Sequence, residues 1–149
     1  MAKLISRFIF WISGWKVEGW VPKDVKKAVM IAAPHTSNWD FLYARCAFFI
    51  MGIPLKYTIK KELMVFPFGP LLRSMGDIPI DRKKVGTKGK RTMVDAMAEL
   101  FDEYDQLGVM VTPEGTRKYA PRWKSGFYYV AEKANVPIIM GYLDYAKKH

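Results

Sequence analysis

The stretch AVMIAAPHTSNWDFLYARCAFFIM, residues 28–51, decides the fold of this chain. Residues 28–33 form a short apolar run, which is typical of a buried strand, and residues 39–51 form a longer segment that favours a helix. His35 lies in the turn between the two segments, and Asp40 is the second residue of the helical segment. The sequence therefore predicts a strand, a turn and a helix, with polar side chains gathered at the carboxyl end of the strand.

The same alternation continues along the rest of the chain. Further strands are predicted at residues 55–59, 77–80, 108–112 and 136–140, and further helices at residues 93–104 and 125–134. Residues 62–75 are apolar but are broken by Pro67, Gly69 and Pro70, so we expect an irregular wall there. This order predicts the α/β class, with a layered mixed β-sheet flanked by helices and an amphipathic helix at the N-terminus.

Composition and charge restrict the classes of protein and partner. The 149 residues are half hydrophobic, which suits one core, and 24 Lys and Arg against 14 Asp and Glu give a formal charge of +10. Such a surface attracts polyanions, among them nucleic acid, anionic lipid, coenzyme A and an acidic carrier protein. Cys46 is the sole cysteine, so disulfides and cysteine-based metal sites are excluded and a reducing compartment is expected.

The first twenty residues predict a helix that lies in a membrane interface. One apolar stripe at helical spacing is formed by Leu4, Ile5, Phe8, Trp11, Ile12 and Trp15. Lys3 and Arg7 lie on the other side, an arrangement that suits a lipid headgroup boundary, although such a stripe also suits a core helix. No apolar run reaches the ~18 residues of a membrane span. We expect a membrane-interface segment at residues 1–20, one α/β domain at residues 21–149, and a cytoplasmic protein that is peripheral on the inner face of the membrane.

His35 and Asp40 form the first candidate for a reactive pair. On one continuous helix, residues five apart point roughly 140° away from each other. The two side chains meet only if His35 precedes the helix and Asp40 lies in its first turn, with Thr36, Ser37 or Asn38 as the N-cap. The carboxylate then holds one imidazole nitrogen, and the other accepts a proton from a hydroxyl. A capped helix start with a surface histidine is the alternative.

The segment TPEGTR, residues 112–117, follows another predicted strand and suits an anion. Gly115 permits close approach of a ligand, Thr116 offers a hydroxyl, and Arg117 offers a planar fork that matches phosphate. Glu114 binds a hydroxyl or holds Arg117 in place. A tight turn locked by a Glu–Arg pair remains the structural alternative.

Two further segments complete the pattern. GDIPIDR, residues 76–82, predicts a short strand that is followed by charged residues. Arg82 could therefore lie beside Arg117 and bind the same anion. The alternative is a solvated arginine on an edge strand. VPII, residues 136–139, begins a strand with a proline, which suggests an edge or a pocket wall.

Together, and in this order, the four segments resemble the blocks of the glycerolipid acyltransferase family, which includes the 1-acylglycerol-3-phosphate acyltransferases. The blocks are His-x4-Asp, an arginine after Gly-x-Ile-x-Ile-Asp, Pro-Glu-Gly-Thr-Arg, and a Val-Pro-Ile-Ile-like strand. The resemblance covers residues 28–141 and implies that residues 21–149 are an acyltransferase domain.

The resemblance implies a role for each matching residue. His35 would be the general base and Asp40 its orienter. The phosphate of the lipid acceptor would be bound by Arg82, Glu114, Gly115, Thr116 and Arg117. It implies no metal and no bound cofactor, with acyl-CoA or an acyl carrier protein as the acyl donor and a membrane lipid surface as the place of reaction.

Two other classes remain open at the level of sequence. A basic, non-enzymatic module that binds membrane or nucleic acid would explain the charge, but the chain holds no recognised nucleic-acid motif, and we expect no nucleic-acid partner. A His–Asp hydrolase of esters or thioesters would need a nucleophile or an activated water, and Ser37 lies too close in sequence to His35 to complete a triad.

Overall fold

The structure is a computed structural model that describes residues 2–37, 39–60, 78–80 and 92–149, and only the backbone of residues 55, 57–60 and 78–80. The predicted wall at residues 62–75 and the candidate anion ligand Arg82 lie outside the described residues.

The described residues form an α/β fold. The helices are α1 Ala2–Ser13, α2 Trp39–Met51, α3 Met93–Glu103 and α4 Gly126–Ala134; the strands are β1 Lys27–Ala32, β2 Leu55–Lys60, β3 Ile78–Ile80, β4 Leu107–Val111 and β5 Ile138–Gly141. The strand order is β3-β2-β4-β1-β5, and within the described residues each pairing of neighbours is parallel. Parallel neighbours need crossover connections, and in the described part of the chain α2 follows β1, α3 precedes β4 and α4 precedes β5. The predicted α/β class and N-terminal helix are confirmed.

Strand β1 lies between β4 and β5 and is the most enclosed part of the sheet. Val29 pairs with Val109 on one side and with Ile138 on the other, and residues 28–31 are all buried. A strand covered on both faces is expected to be continuously apolar, as this one is. Because β1 and β4 run parallel, the residues that follow Ala32 and Val111 emerge at the same edge of the sheet.

Helices α3 and α4 cover one face of the sheet. The core on this face consists of Val29, Met97, Leu100, Phe101, Leu107, Val109, Val130 and Ala131. Phe127 and Ala134 pack against it, so α4 turns the face that carries these residues, Val130 and Ala131 towards the sheet. At the start of α3, the Thr92 hydroxyl accepts a hydrogen bond from the Asp95 amide and the Asp95 carboxylate accepts one from the Thr92 amide. This capping box fixes where α3 begins.

Helix α1 has one face on the protein and an apolar face in solvent. Ser6 and Phe10 are buried against α2 and its neighbours. The exposed apolar side chains are Leu4, Ile5, Phe8, Trp11 and Ile12, with exposed fractions between 53% and 76%. Among the described residues, no helix is both long and apolar enough to cross a membrane.

Trp15 corrects the predicted stripe. The helix ends at Ser13, Gly14 has a φ of 75°, and the amide of Trp15 donates to the carbonyl of Phe10 at 2.9 Å. The chain therefore leaves the helical period before Trp15, whose ring turns inwards and stacks on Tyr43 with 4.5 Å between centroids. The expectation that Trp15 belongs to the exposed stripe is wrong, because glycine reverses the chain there.

We predict that Phe101→Ala lowers the free energy of unfolding by about 3–5 kcal/mol, because it leaves a cavity beneath α3. Phe101 is 2% exposed, whereas the control residue Phe8 is 58% exposed. Phe8→Ala should therefore change stability by no more than about 0.5 kcal/mol. Urea denaturation measures both variants, and equal losses would contradict the assigned core.

Candidate active site

The loop between β1 and α2 brings His35 and Asp40 together. Helix α2 begins at Trp39, so Asp40 lies in its first turn and His35 precedes it. The Nδ1 atom of His35 lies 3.0 Å from Oδ2 of Asp40. Ser37 caps the helix start, since its hydroxyl oxygen accepts from the amide of Trp39 at 3.0 Å. This is the geometry that the spacing of the pair requires.

Asp40 is buried and is surrounded by hydrogen-bond donors. Oδ2 also accepts from the backbone amides of Thr36 at 2.7 Å and Ser37 at 2.9 Å, and Oδ1 accepts from the hydroxyl of Tyr145. Burial by itself raises the pKa of the Asp40 carboxyl, but the hydrogen bonds from Tyr145, Ser37, Thr36 and His35 outweigh it and hold this pKa below the ordinary 3.8. Asp40 is therefore ionised at neutral pH.

The charge on Asp40 fixes which nitrogen of His35 carries the proton. An ionised carboxylate only accepts hydrogen bonds, so in a neutral imidazole Nδ1 donates to it and Nε2 keeps its lone pair. The side chain of His35 is 27% exposed and borders an open cavity. Polar residues that line this cavity include Asp40, Thr116, Arg117 and Lys124. The pair thus has the arrangement of a base and its orienter.

Glu114 ties the loop after β4 to the loop after β1. Its Oε2 atom accepts a hydrogen bond from the backbone amide of His35 at 2.7 Å. The sequence suggested that Glu114 binds a hydroxyl or holds Arg117; the contact to His35 was not foreseen, because it depends on β1 and β4 being neighbours in the sheet. Glu114 helps to fix the position of the catalytic candidate.

Residues 115–117 form an exposed turn at the cavity rim. Gly115 has a φ of 66°, and a Cβ at this position would lie 2.8 Å from Nζ of Lys124. The positive φ favours glycine at this position, and the flexible side chain of Lys124 lies directly over it. The hydroxyl oxygen of Thr116 accepts from the amide of Lys118 at 3.2 Å. Thr116 and Arg117 are exposed beside the cavity.

Sequence reasoning missed two residues at this site, Tyr145 and Lys124. Tyr145 lies 105 positions from Asp40 and belongs to none of the four segments, so no local pattern could connect them. Lys124 is one of many basic residues, and only its position over Gly115 distinguishes it. Arg82, the remaining predicted ligand, is outside the described residues. In the part of the chain that the structure describes, no three His, Cys, Asp or Glu side chains cluster as metal ligands would.

Comparison with known proteins adds the family to this geometry. The chain is 32% identical to a protein of Mycoplasma pneumoniae (strain ATCC 29342 / M129 / Subtype 1) named "Probable 1-acyl-sn-glycerol-3-phosphate acyltransferase", over an alignment that covers 98% of this chain and 58% of that protein. The chain thus spans somewhat more than half the length of this relative. No solved structure matches the chain. A family model described as Acyltransferase matches residues 15–140, so the chain belongs to the Acyltransferase family.

Proposed function

We propose that the chain transfers a fatty acyl group from an acyl-thioester, either acyl-CoA or an acylated acyl carrier protein, to a hydroxyl of a glycerophosphate-type lipid. The observation that carries the proposal is the contact of His35 with the buried, ionised Asp40 beside the turn at residues 114–117. Membership of the Acyltransferase family and the name of the mycoplasmal relative support it.

The reaction follows from the chemistry of the pair. Nε2 of His35 takes the proton from the acceptor hydroxyl as its oxygen attacks the thioester carbonyl carbon. Asp40 stabilises the imidazolium that forms. The carbon–sulfur bond then breaks, the new ester is released, and the leaving thiolate takes the proton from His35. A thioester is already activated, so positioning and a base account for the catalysis without a covalent enzyme intermediate.

The turn after β4 would bind the phosphate of the acceptor. Arg117 provides a bidentate fork, Thr116 a hydroxyl, and Lys124 a second cation above Gly115. Arg82 is proposed as a further ligand on the resemblance alone. Glu114 would act indirectly here, by holding the backbone of His35.

The apolar side of the same cavity would receive the acyl chain. Phe41, Phe48, Met110 and Ile139 line it and pack around the buried Met30. A methylene chain on such a wall gains about 0.8 kcal/mol for each buried group. The apolar wall and His35 thus border the same open cavity. Transfer of an acyl chain to a hydroxyl of a lipid requires this arrangement.

The exposed face of α1 is proposed to rest on an anionic lipid surface. Trp11 and Phe8 project from a face of five large apolar side chains, and Lys3 and Arg7 on the same helix are also exposed. Aromatic rings beside cations suit the boundary between headgroups and acyl chains. An acidic acyl carrier protein remains a proposed partner because the chain carries a formal charge of +10.

We predict that His35→Ala lowers the rate of acyl transfer by about 10²–10⁴-fold, because the base is lost. Asp40→Asn should retain part of the activity, since the amide oxygen still accepts from Nδ1 although the charge is gone. Glu132→Ala, at an exposed position of α4 that does not line the cavity, is the control and should remain active. Mass spectrometry of the acylated lipid measures transfer. Wild-type turnover by a folded His35→Ala variant would refute the proposal.

Arg117→Lys should raise the KM for the phosphate-bearing acceptor more than the KM for the thioester, because lysine cannot reproduce a bidentate contact with phosphate. Arg122→Lys, an exposed arginine of the following turn, is the control. Steady-state kinetics with each substrate varied in turn measure the effect. An increase confined to the thioester would assign this turn to the donor.

We expect the double substitution Phe8→Glu with Trp11→Glu to weaken binding to vesicles of anionic phospholipid by about tenfold or more without lowering the melting temperature. Both residues are exposed, so the protein core is untouched. Tyr128→Glu with Tyr129→Glu, on the exposed face of α4, is the matched control. Cosedimentation measures binding. Unchanged binding to the vesicles would contradict the proposed contact of α1 with lipid. A double variant that loses self-association but still binds the vesicles would contradict it as well.

A further inference from the structure

The two carboxylate oxygens of Asp40 are held by different parts of the chain. Oδ2 receives the local donors, which are the amides of Thr36 and Ser37 together with Nδ1 of His35. Oδ1 receives the hydroxyl of Tyr145, from a segment far along the sequence. Since Asp40 is 7% exposed, water has little access to replace a lost donor. The orientation of the carboxylate therefore depends on both sets of contacts.

Packing places the hydroxyl of Tyr145. Its ring meets the ring of Trp15 edge-on, at 5.2 Å and 89°, and that of Tyr43 at 6.2 Å and 83°. The segment that carries it is joined to the residues after α1, because the amide of Lys16 donates to the carbonyl of Lys148 at 2.8 Å. Lys148 also donates from Nζ to the carbonyl of Ser13 at 3.1 Å. These contacts restrain one side of the phenol ring independently of Asp40, and Tyr145 as a whole is 44% exposed.

We infer that Tyr145 is a positioning residue for the catalytic pair: its hydroxyl fixes Oδ1 of Asp40 so that Oδ2 stays directed at Nδ1 of His35. The inference rests on the proposed function for the reaction that His35 carries out. Nothing in the resemblance to the glycerolipid acyltransferases, whose matching segments end at residue 141, covers this residue.

The chemistry of the phenol supports this role. Burial and the neighbouring carboxylate of Asp40 raise the pKa of Tyr145 to about 12, so the hydroxyl keeps its proton and remains a donor at any physiological pH. A donor to a buried carboxylate stabilises the charged form and is one cause of the low pKa of Asp40. Hydrogen bonds to charged groups are the stronger class of hydrogen bond in proteins.

Titratable groups face Asp40 and its neighbours from several elements of the described structure. His35 faces Asp40 from the loop after β1, and Tyr145 faces it from the C-terminal segment. Tyr43, on α2, lies beside Tyr145, and Glu114 reaches the backbone of His35 from the loop after β4. Removing the hydroxyl of Tyr145 deletes one of the hydrogen bonds that stabilise the charge of Asp40. It leaves both partners of the contact between His35 and Asp40 in place.

Tyr145→Phe tests the inference, because it deletes the hydroxyl and keeps the packed ring. We expect the ¹³C resonance of the Asp40 carboxyl, assigned with Asp40→Asn, to titrate roughly one pH unit higher than in the wild type. The kcat of acyl transfer should fall about tenfold with the KM of the acceptor unchanged. The acidic limb of the pH–rate profile should move to higher pH, because Asp40 is protonated more easily once the hydroxyl of Tyr145 is gone.

Tyr128→Phe, on an exposed ring, is the control and should change none of these quantities. An unshifted Asp40 titration in Tyr145→Phe would overturn the inference. So would a lower kcat with an unchanged titration and pH profile, since that result indicates a merely structural role. The NMR titration needs no substrate. A shifted titration in a protein that transfers no acyl group to any acceptor would therefore support the positioning role and contradict the proposed function.

Discussion

The rest of the site depends on one constraint: the buried carboxylate of Asp40 must be kept charged and directed at His35. A carboxylate at 7% exposure is stable as an anion only if donors replace the water it has lost. The chain supplies two backbone amides from the loop before α2, the imidazole of His35 and the phenol of Tyr145. Each donor also restrains the segment that carries it, so the charge organises the loop and the C-terminal segment around itself.

The parallel sheet brings the other parts of the site to this point. Because β1 and β4 are neighbours, the carboxyl ends of both strands open on one edge, where Glu114 holds the amide of His35 and the turn at residues 115–117 borders the same cavity. On the opposite side, Trp15 packs between the end of α1 and Tyr145. The helix with the exposed apolar face is therefore joined, through the rings of Phe10 and Trp15, to Tyr145, which donates to Asp40.

Much of this architecture could be predicted from local sequence patterns, and each prediction that failed did so for a physical reason. The first strand was predicted at residues 28–33 and is Lys27–Ala32, and α2 was predicted at the residues where it lies, because short apolar runs and caps are local signals. Trp15 was misplaced because a helical period was extended across Gly14, where the chain reverses. The contacts of Glu114 and Tyr145 escaped prediction because they depend on strand order and on a separation of 105 positions, which no local spacing encodes.

The central claim is that the base formed by His35 and Asp40 serves transfer to an acceptor rather than hydrolysis or simple binding. The most direct measurement is the release of free thiol from an acyl-thioester by the wild-type protein, with and without a glycerophosphate-type lipid that bears a free hydroxyl. The account predicts release that depends on the acceptor and is matched by equal formation of the acylated lipid. Release at the same rate without acceptor would show a hydrolase, and no release in either case would show a binding module; both results would contradict the account.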